Sequence, residues 1–360
     1  MQHTVNVNLS FLASRPTGIS NYARNIVPAL KSLSPRLFTP FQLEAFSAEA
    51  HHFLSPLMST DCGRRGHVRR LLWLQFGAQK AFASAKTTLT FTPLPEAPLW
   101  RSSRYITTAH DTIPLRFPSG SGLLNRYFKY YVPHVLRRAK HIICNSKTTA
   151  ADIMDAYGIP LQRITPVYLG YDDTVFRPLA LPAQNYFLYV GLHSPHKNLM
   201  RLIQAFGQLK HRETELWIAG STNARYTPQL VACVAELGLS DRVRFLGYVP
   251  QADLPRLINQ ALAFVFPSLW EGFGLPILEA MACGTPVITA NCASMPEVAG
   301  EAALLVNPYQ VRELTQAMQQ VIQDASLRKD LRRRGLERVT LFNWTKTGAA
   351  TAEILRAFSE

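Results

Sequence analysis

A chain of 360 residues is long enough for two domains with separate cores. Hydrophobic residues make up 47% and charged residues 17%, with no apolar run of membrane-spanning length, which excludes disordered, collagen-like and transmembrane classes. The net charge of +14 is unevenly placed, with 21 Lys and Arg against 9 Asp and Glu in residues 1–180, and 17 against 15 in residues 181–360.

A basic first half suits an acidic partner: nucleic acid, anionic lipid or a phosphorylated substrate. An ordinary basic soluble surface is the plain alternative. The five cysteines (Cys62, Cys144, Cys233, Cys283, Cys292) form no C-x-x-C pair, which argues for a reducing compartment and against a disulfide framework. The opening Met1-Gln2-His3-Thr4 lacks the basic and apolar regions of a signal peptide. The expected location is the cytoplasm, including the inner face of a membrane.

In chain order, residues 21–30 read as a helix, 87–92 and 104–109 as strands, 123–138 as a helix and 141–145 as a strand ending in a buried Cys144. Residues 171–184, with Asp172, Asp173, Pro178 and Pro182, read as a linker. Beyond it the alternation is regular. Strands are predicted at 186–191, 215–220, 243–247, 261–266 and 286–290, with helices at 198–209, 229–237, 254–260 and 276–282 between them. Continuous apolar strands separated by helices are the pattern of a parallel sheet covered on both faces. The expected fold is α/β, two domains facing each other across a cleft, with ligands outside the carboxyl ends of the strands.

The most informative segment runs from Phe266 to Ala280. A strand ends at Phe266, a loop with Gly272 and Gly274 follows, and Pro276 marks a helix start. A helix N-terminus behind a glycine loop can hold a diphosphate, and Glu279, about one turn in, could accept from two ribose hydroxyls. Glu271, before the turn, can address a sugar hydroxyl. Each piece alone has a plainer reading, a turn or a dipole partner.

Together, Glu271 and Glu279 with Phe273-Gly274-Leu275-Pro276 between them resemble the Glu-x7-Glu mark of the retaining glycosyltransferases of family 4. The similarity continues through 280–288 and 295–300. The resemblance implies a GT-B fold of two Rossmann-like domains: residues 1–175 for the acceptor, 176–342 for the nucleotide sugar, and 343–360 as a helix returning to the first domain. It implies that Glu279 binds the ribose, Glu271 the donor hexose, and the amides of Phe273, Gly274 and Leu275 the donor's phosphates or sugar. Lys197, in the loop Gly191-Leu192-His193-Ser194-Pro195-His196-Lys197-Asn198, resembles the family lysine at the diphosphate. Leu192 stands where many relatives carry arginine. Gly18, in Pro16-Thr17-Gly18, resembles the family's N-terminal glycine loop at the donor phosphate. His110, at the end of 104–109, becomes the residue that contacts the transferred sugar.

Rival classes lack their marks. There is no Asp-x-Asp triplet, no complete Gly-x-Gly-x-x-Gly and no Cys/His spacing for zinc. The resemblance implies an enzyme that transfers a hexose, with no tightly bound metal or cofactor and no nucleic acid expected. The resemblance also puts GDP-mannose ahead of a UDP-hexose as donor and implies a saccharide acceptor, including one carried on polyprenyl diphosphate in polysaccharide assembly. Arg64, Arg65, Arg69 and Arg70 around Val68-Leu71-Leu72-Trp73-Leu74 suit an anionic membrane surface, or equally a core-packed helix with solvated arginines. The alternative to catalysis is a degenerate transferase kept as a binding partner.

Overall fold

A computed structural model describes residues 5–14, 18–84, 89–100, 102–118 and 122–359. Pro16, Thr17, Thr87, Thr88 and the first four residues of the sequence analysis lie outside the described residues. Two compact units emerge: Met1–Gly170 with Trp344–Glu360, and Tyr171–Asn343. The second unit is thus an insertion in the first, and Tyr171 and Asn343, its two ends, pair in a parallel bridge.

The first unit holds seven parallel strands: β1 (Val5–Asn8), β2 (Arg36–Thr39), β3 (His51–Phe53), β4 (Leu89–Thr92), β5 (Tyr105–Ala109), β6 (His141–Cys144) and β7 (Ile164–Pro166). Their order is β3-β2-β1-β4-β5-β6-β7. Every residue of β1, β4, β5 and β6 is buried, as expected of central strands covered on both faces. Tyr105 is wholly buried, and its hydroxyl donates to the Val135 carbonyl at 2.7 Å.

The helix expected over 123–138 is three pieces: Leu123–Arg126, a wider π turn at Tyr127–Tyr131, and Val132–Arg138. Pro133 accounts for the break, because it lacks the N–H that would bond the carbonyl four residues earlier. At the end of the chain, helix Trp344–Ser359 packs on Gly18–Ile26 and Val27–Leu33 within the same unit. The Thr347 hydroxyl donates to the Tyr168 carbonyl at 2.7 Å, and a Cβ at Gly348 would collide with that of Ala29.

Arg70 requires a correction. The sequence groups it with the outward arginines, but it is 3% exposed and ion-paired through Nε to the buried Glu96 carboxylate. Its Nη2 also donates to Glu96 at 2.9 Å. Helix Gly63–Phe76 turns Gly66, Arg70 and Leu74 inward, a 100°-per-residue consequence of their spacing of four. Gly66 fixes that choice, since any Cβ there would strike the Ser59 carbonyl. Arg64, Arg65 and Arg69 remain exposed.

The second unit holds six parallel strands: β8 (Tyr186–Val190), β9 (Glu215–Ala219), β10 (Val243–Gly247), β11 (Ala263–Phe266), β12 (Val287–Ala290) and β13 (Leu304–Val306). Their order is β10-β9-β8-β11-β12-β13. The chain therefore winds outward from β8 in one direction and from β11 in the other.

Candidate active site

In an open parallel sheet the loops on either side of the reversal in strand order diverge, leaving a crevice at the carboxyl ends of the strands. In the second unit that reversal lies between β8 and β11, which pair through Ala263–Phe187 and Phe264–Leu188. The loop after β8 carries Lys197, and the loop after β11 carries Glu271. Their side chains meet: Lys197 Nζ lies 2.6 Å from Glu271 Oε1, with only 16% and 9% of the two side chains exposed. The ammonium also sits 5.4 Å above the Phe266 ring.

Backbone ties hold the two loops together. The Leu269 amide donates to the His196 carbonyl at 2.7 Å. Asn198, at a left-handed φ of 60°, donates from Nδ2 to the Pro267 carbonyl at 3.1 Å and the Pro308 carbonyl at 2.7 Å. The Ser294 hydroxyl is shared between the Glu271 carbonyl at 3.0 Å and the Phe273 carbonyl at 2.7 Å. These bonds fix the turn before helix Leu275–Ala282. Gly274 caps that helix at φ 106°, where a side chain would be strained, and it contributes no side-chain cap to the positive end of the helix.

Glu279 lies half-buried in the second turn of this helix. Burial, reinforced by Asp172, pushes its carboxyl up to about 7. Burial and the neighbouring Lys197 charge push the His196 imidazole down to about 4, so it is neutral at pH 7. Two buried polar atoms here have no hydrogen-bond partner among the described residues: Ser268 Oγ and His193 Nε2. Such atoms are costly unless something else meets them.

The first sheet reverses between β1 and β4. Gly18 opens the helix that follows β1; it is exposed, and a Cβ there would meet nothing within 4 Å. His110 follows β5 and reaches back to the loop after β4, with Nε2 2.8 Å from the Pro93 carbonyl. A carbonyl only accepts, so Nε2 carries the proton. The imidazole stands edge-on to Tyr22, ring centroids 4.7 Å apart. Burial holds it down at about 4, so His110 is neutral at pH 7 and Nδ1 keeps its lone pair. Lys197, Glu271, Phe273, Gly274, Leu275 and Glu279 thus belong to the second unit, Gly18 and His110 to the first.

This geometry has known counterparts. The model of the glycosyl transferases group 1 family matches residues 172–338, and that of Glycosyltransferase Family 4 matches residues 16–175. O-antigen chain mannosyltransferase B of Escherichia coli is 35% identical over 262 residues, 68% of each chain. The chain belongs to glycosyltransferase family 4. O-antigen chain mannosyltransferase RfbU of Salmonella typhimurium is 28% identical over 333 residues, 88% of this chain and 90% of that one. Sucrose-phosphate synthase of Thermosynechococcus elongatus superposes with a TM-score of 0.78 at 21% identity, over 99% of this chain and 98% of that one. Anabaena HepE in complex with UDP and glucose superposes with a TM-score of 0.76 at 17% identity, over 99% of this chain and 100% of that one. The fold is the GT-B fold of two Rossmann-like domains.

Several residues that hold or perturb the candidate side chains within each unit escape sequence reasoning. Ser294 lies in a turn 23 residues after Glu271 and carries no motif of its own. Asp172 sits in the linker, far in sequence from the Glu279 that it perturbs. Pro93, whose carbonyl sets the His110 tautomer, looks like any loop proline. Asn198 had a signal, its place directly after Lys197, although its left-handed backbone is not readable from the text. No helix among the described residues is long and apolar enough to cross a membrane.

Proposed function

We propose that this glycosyltransferase is a retaining hexosyltransferase that uses GDP-mannose, with a UDP-hexose as the second choice, to extend a saccharide in polysaccharide assembly. The single observation that carries the reading is the buried Lys197–Glu271 pair, 2.6 Å long, at the strand-order reversal beside the Gly274 helix start. An ammonium has three donors, and Glu271 takes one. The others can address the donor's diphosphate, whose charge grows as the glycosidic bond breaks. The positive end of helix Leu275–Ala282 adds to that field, with the amides of Phe273, Gly274 and Leu275 nearby.

In this reading Glu279 accepts from the ribose hydroxyls and Glu271 from the hexose. Residues 176–342 hold the donor and 1–175 the acceptor, with 343–360 completing the first domain. Gly18 leaves room for the donor phosphate. His110 accepts a sugar hydroxyl's hydrogen through Nδ1. The acceptor oxygen bonds to the anomeric carbon on the face that the diphosphate leaves, and a diphosphate oxygen takes the acceptor's proton. The mannosyltransferase names of both curated relatives above support the choice of mannose. The acceptor is carried on polyprenyl diphosphate, and the enzyme works peripherally at the cytoplasmic face of a membrane, with Arg64, Arg65 and Arg69 toward anionic lipid. Proton NMR of the product made from GDP-mannose is the test. An α-linked product supports the reading, and a β-linked one overturns it.

A further inference from the structure

We propose that a groove in the first unit, between helix Gly63–Phe76 and residues 123–131, holds one hydrocarbon chain of an anionic membrane lipid, with the lipid phosphate on Arg64 and Arg126. The inference deepens the reading of a membrane-borne acceptor and rests on it. The cavity measures about 530 Å³. Its apolar lining comes from Val68, Leu71, Leu123, Leu124 and Tyr130, and Arg64 and Arg126 also line it. That size falls within the roughly 300–1,000 Å³ of small-molecule sites.

The lining is strongly exposed. Val68 is 54% exposed, Leu123 56%, Leu124 46% and Tyr130 59%. On the same helix, Leu72 is 53% and Phe76 80% exposed, and positions 68, 72 and 76 fall on one face. Single exposed apolar residues are ordinary, but a contiguous set on adjoining elements marks a contact surface. The helix turns Leu74 to the core and packs Leu71 and Trp73 against it, yet shows Val68, Leu72 and Phe76 outside. Exposed Arg65 and Arg69 share that outer face, the composition of an interfacial helix.

The groove is preformed. The Tyr127 hydroxyl donates to the Pro95 carbonyl at 3.1 Å, and the Tyr131 hydroxyl to the Ala97 carbonyl at 3.0 Å. The His67 ring stands edge-on to Tyr127 with centroids 5.0 Å apart. The π turn Tyr127–Tyr131 holds this arrangement, leaving Tyr130 outward. Charge selects the occupant. Neither Gly63–Phe76 nor residues 123–131 contains an acidic residue, while Arg64, Arg65, Arg69, Arg126 and Lys129 are all exposed. A second copy would bring the same positive face and be repelled. An anionic bilayer supplies both the chain and the countercharge.

The test uses the whole chain with vesicles of phosphatidylglycerol, a trace of which carries a diazirine on its acyl chain, and no nucleotide sugar. After illumination, peptide mass spectrometry should place adducts on the groove, at least tenfold more than with phosphatidylcholine vesicles. The double variant Val68→Glu, Leu124→Glu should lose at least tenfold in sedimentation with phosphatidylglycerol vesicles, at an unchanged melting temperature. It should still transfer hexose to a water-soluble acceptor. Adducts elsewhere, or undiminished sedimentation of the variant, would overturn the groove. So would a variant that changes the oligomeric state instead, which would assign the face to protein contact. A wild type that transfers hexose but never sediments rejects the groove and leaves the transferase reading standing. One that sediments and labels the groove but transfers nothing does the reverse.

Discussion

The two sheets reverse their strand order in the same way and place different chemistry at the reversal. In the second unit, the loops after β8 and β11 are cross-tied by Leu269–His196 and Asn198–Pro267 bonds, and they bury a salt bridge. In the first, the end of β1 meets the loop after β4 through Asn8, whose Nδ2 donates to the Glu96 carbonyl at 3.4 Å, and the neutral His110 follows β5. The first unit spends its buried salt bridge, Arg70–Glu96, on seating a helix. The same ingredient therefore joins two loops at the reversal in one unit and seats a helix against a reversal loop in the other.

The largest expected effect falls on the supporting pair. Burial would raise the Glu96 carboxyl, but the Arg70 guanidinium holds it below its ordinary range. Arg70→Ala leaves that buried carboxylate with only the His67 imidazole beside it, 3.2 Å away, which should cost about 3–5 kcal/mol of stability. Arg65→Ala and Arg69→Ala, on the solvent side of the same helix, should stay within about 0.5 kcal/mol. Urea unfolding monitored by circular dichroism checks both; equal losses for Arg70 and Arg69 would erase the contrast.

The site pair should add a loss of rate to its loss of stability. Lys197→Ala should lower turnover about 100- to 1,000-fold, the usual worth of one preorganised charge at a developing anion. Single-turnover transfer assays read this directly. Next in size is His110→Ala, with a drop in kcat of about 10- to 100-fold and little change in donor KM. Because the His110 imidazole titrates near 4, its loss should alter no feature of the pH profile between 6 and 8. A new pH dependence in that range would contradict the neutral tautomer.

The smallest effect is the most diagnostic of burial. With its carboxyl at about 7, Glu279 is mostly protonated at pH 6 and mostly ionised at pH 8. Ribose hydroxyls donate best to the ionised form, so nucleotide affinity should rise about tenfold across that interval. Calorimetry with GDP at both pH values measures it, and Glu279→Gln should flatten the dependence. A carboxyl raised in the folded state weakens the fold as pH climbs through 7. Glu279→Gln should therefore also raise the melting temperature at pH 8 while leaving it nearly unchanged at pH 4.

The second unit was legible in the sequence because its strands are buried on both faces and read as unbroken apolar runs, such as Tyr186–Val190 and Ala263–Phe266. The first was harder. β1 is Val-Asn-Val-Asn, with Asn6 and Asn8 both about 1% exposed, so its text gives the alternation of a half-solvated strand. β3 and β7 are three residues long, too short for any period. The Glu271-to-Glu279 segment declared its strand end, turn and helix start locally. The pairing of Glu271 with Lys197, 74 residues earlier, depends on β8 and β11 becoming neighbours, which no local pattern states. Arg70 was misplaced because a run of arginines does not say which one points inward. Gly66 and Glu96 decide that, and both act through contacts made only in the fold.

Whether the second unit's reversal is a nucleotide-sugar site can be measured most directly by thermal shift. GDP-mannose, a UDP-hexose and an ADP-hexose would be offered separately to the wild type and to Lys197→Ala and Glu279→Ala. At 100 times its dissociation constant, the matching donor should stabilise the wild type by about 2.7 kcal/mol, a rise of a few degrees, and either substitution should remove most of it. A wild type stabilised by none of the three, or variants stabilised as fully as the wild type, would contradict a donor site at Lys197, Glu271 and Glu279.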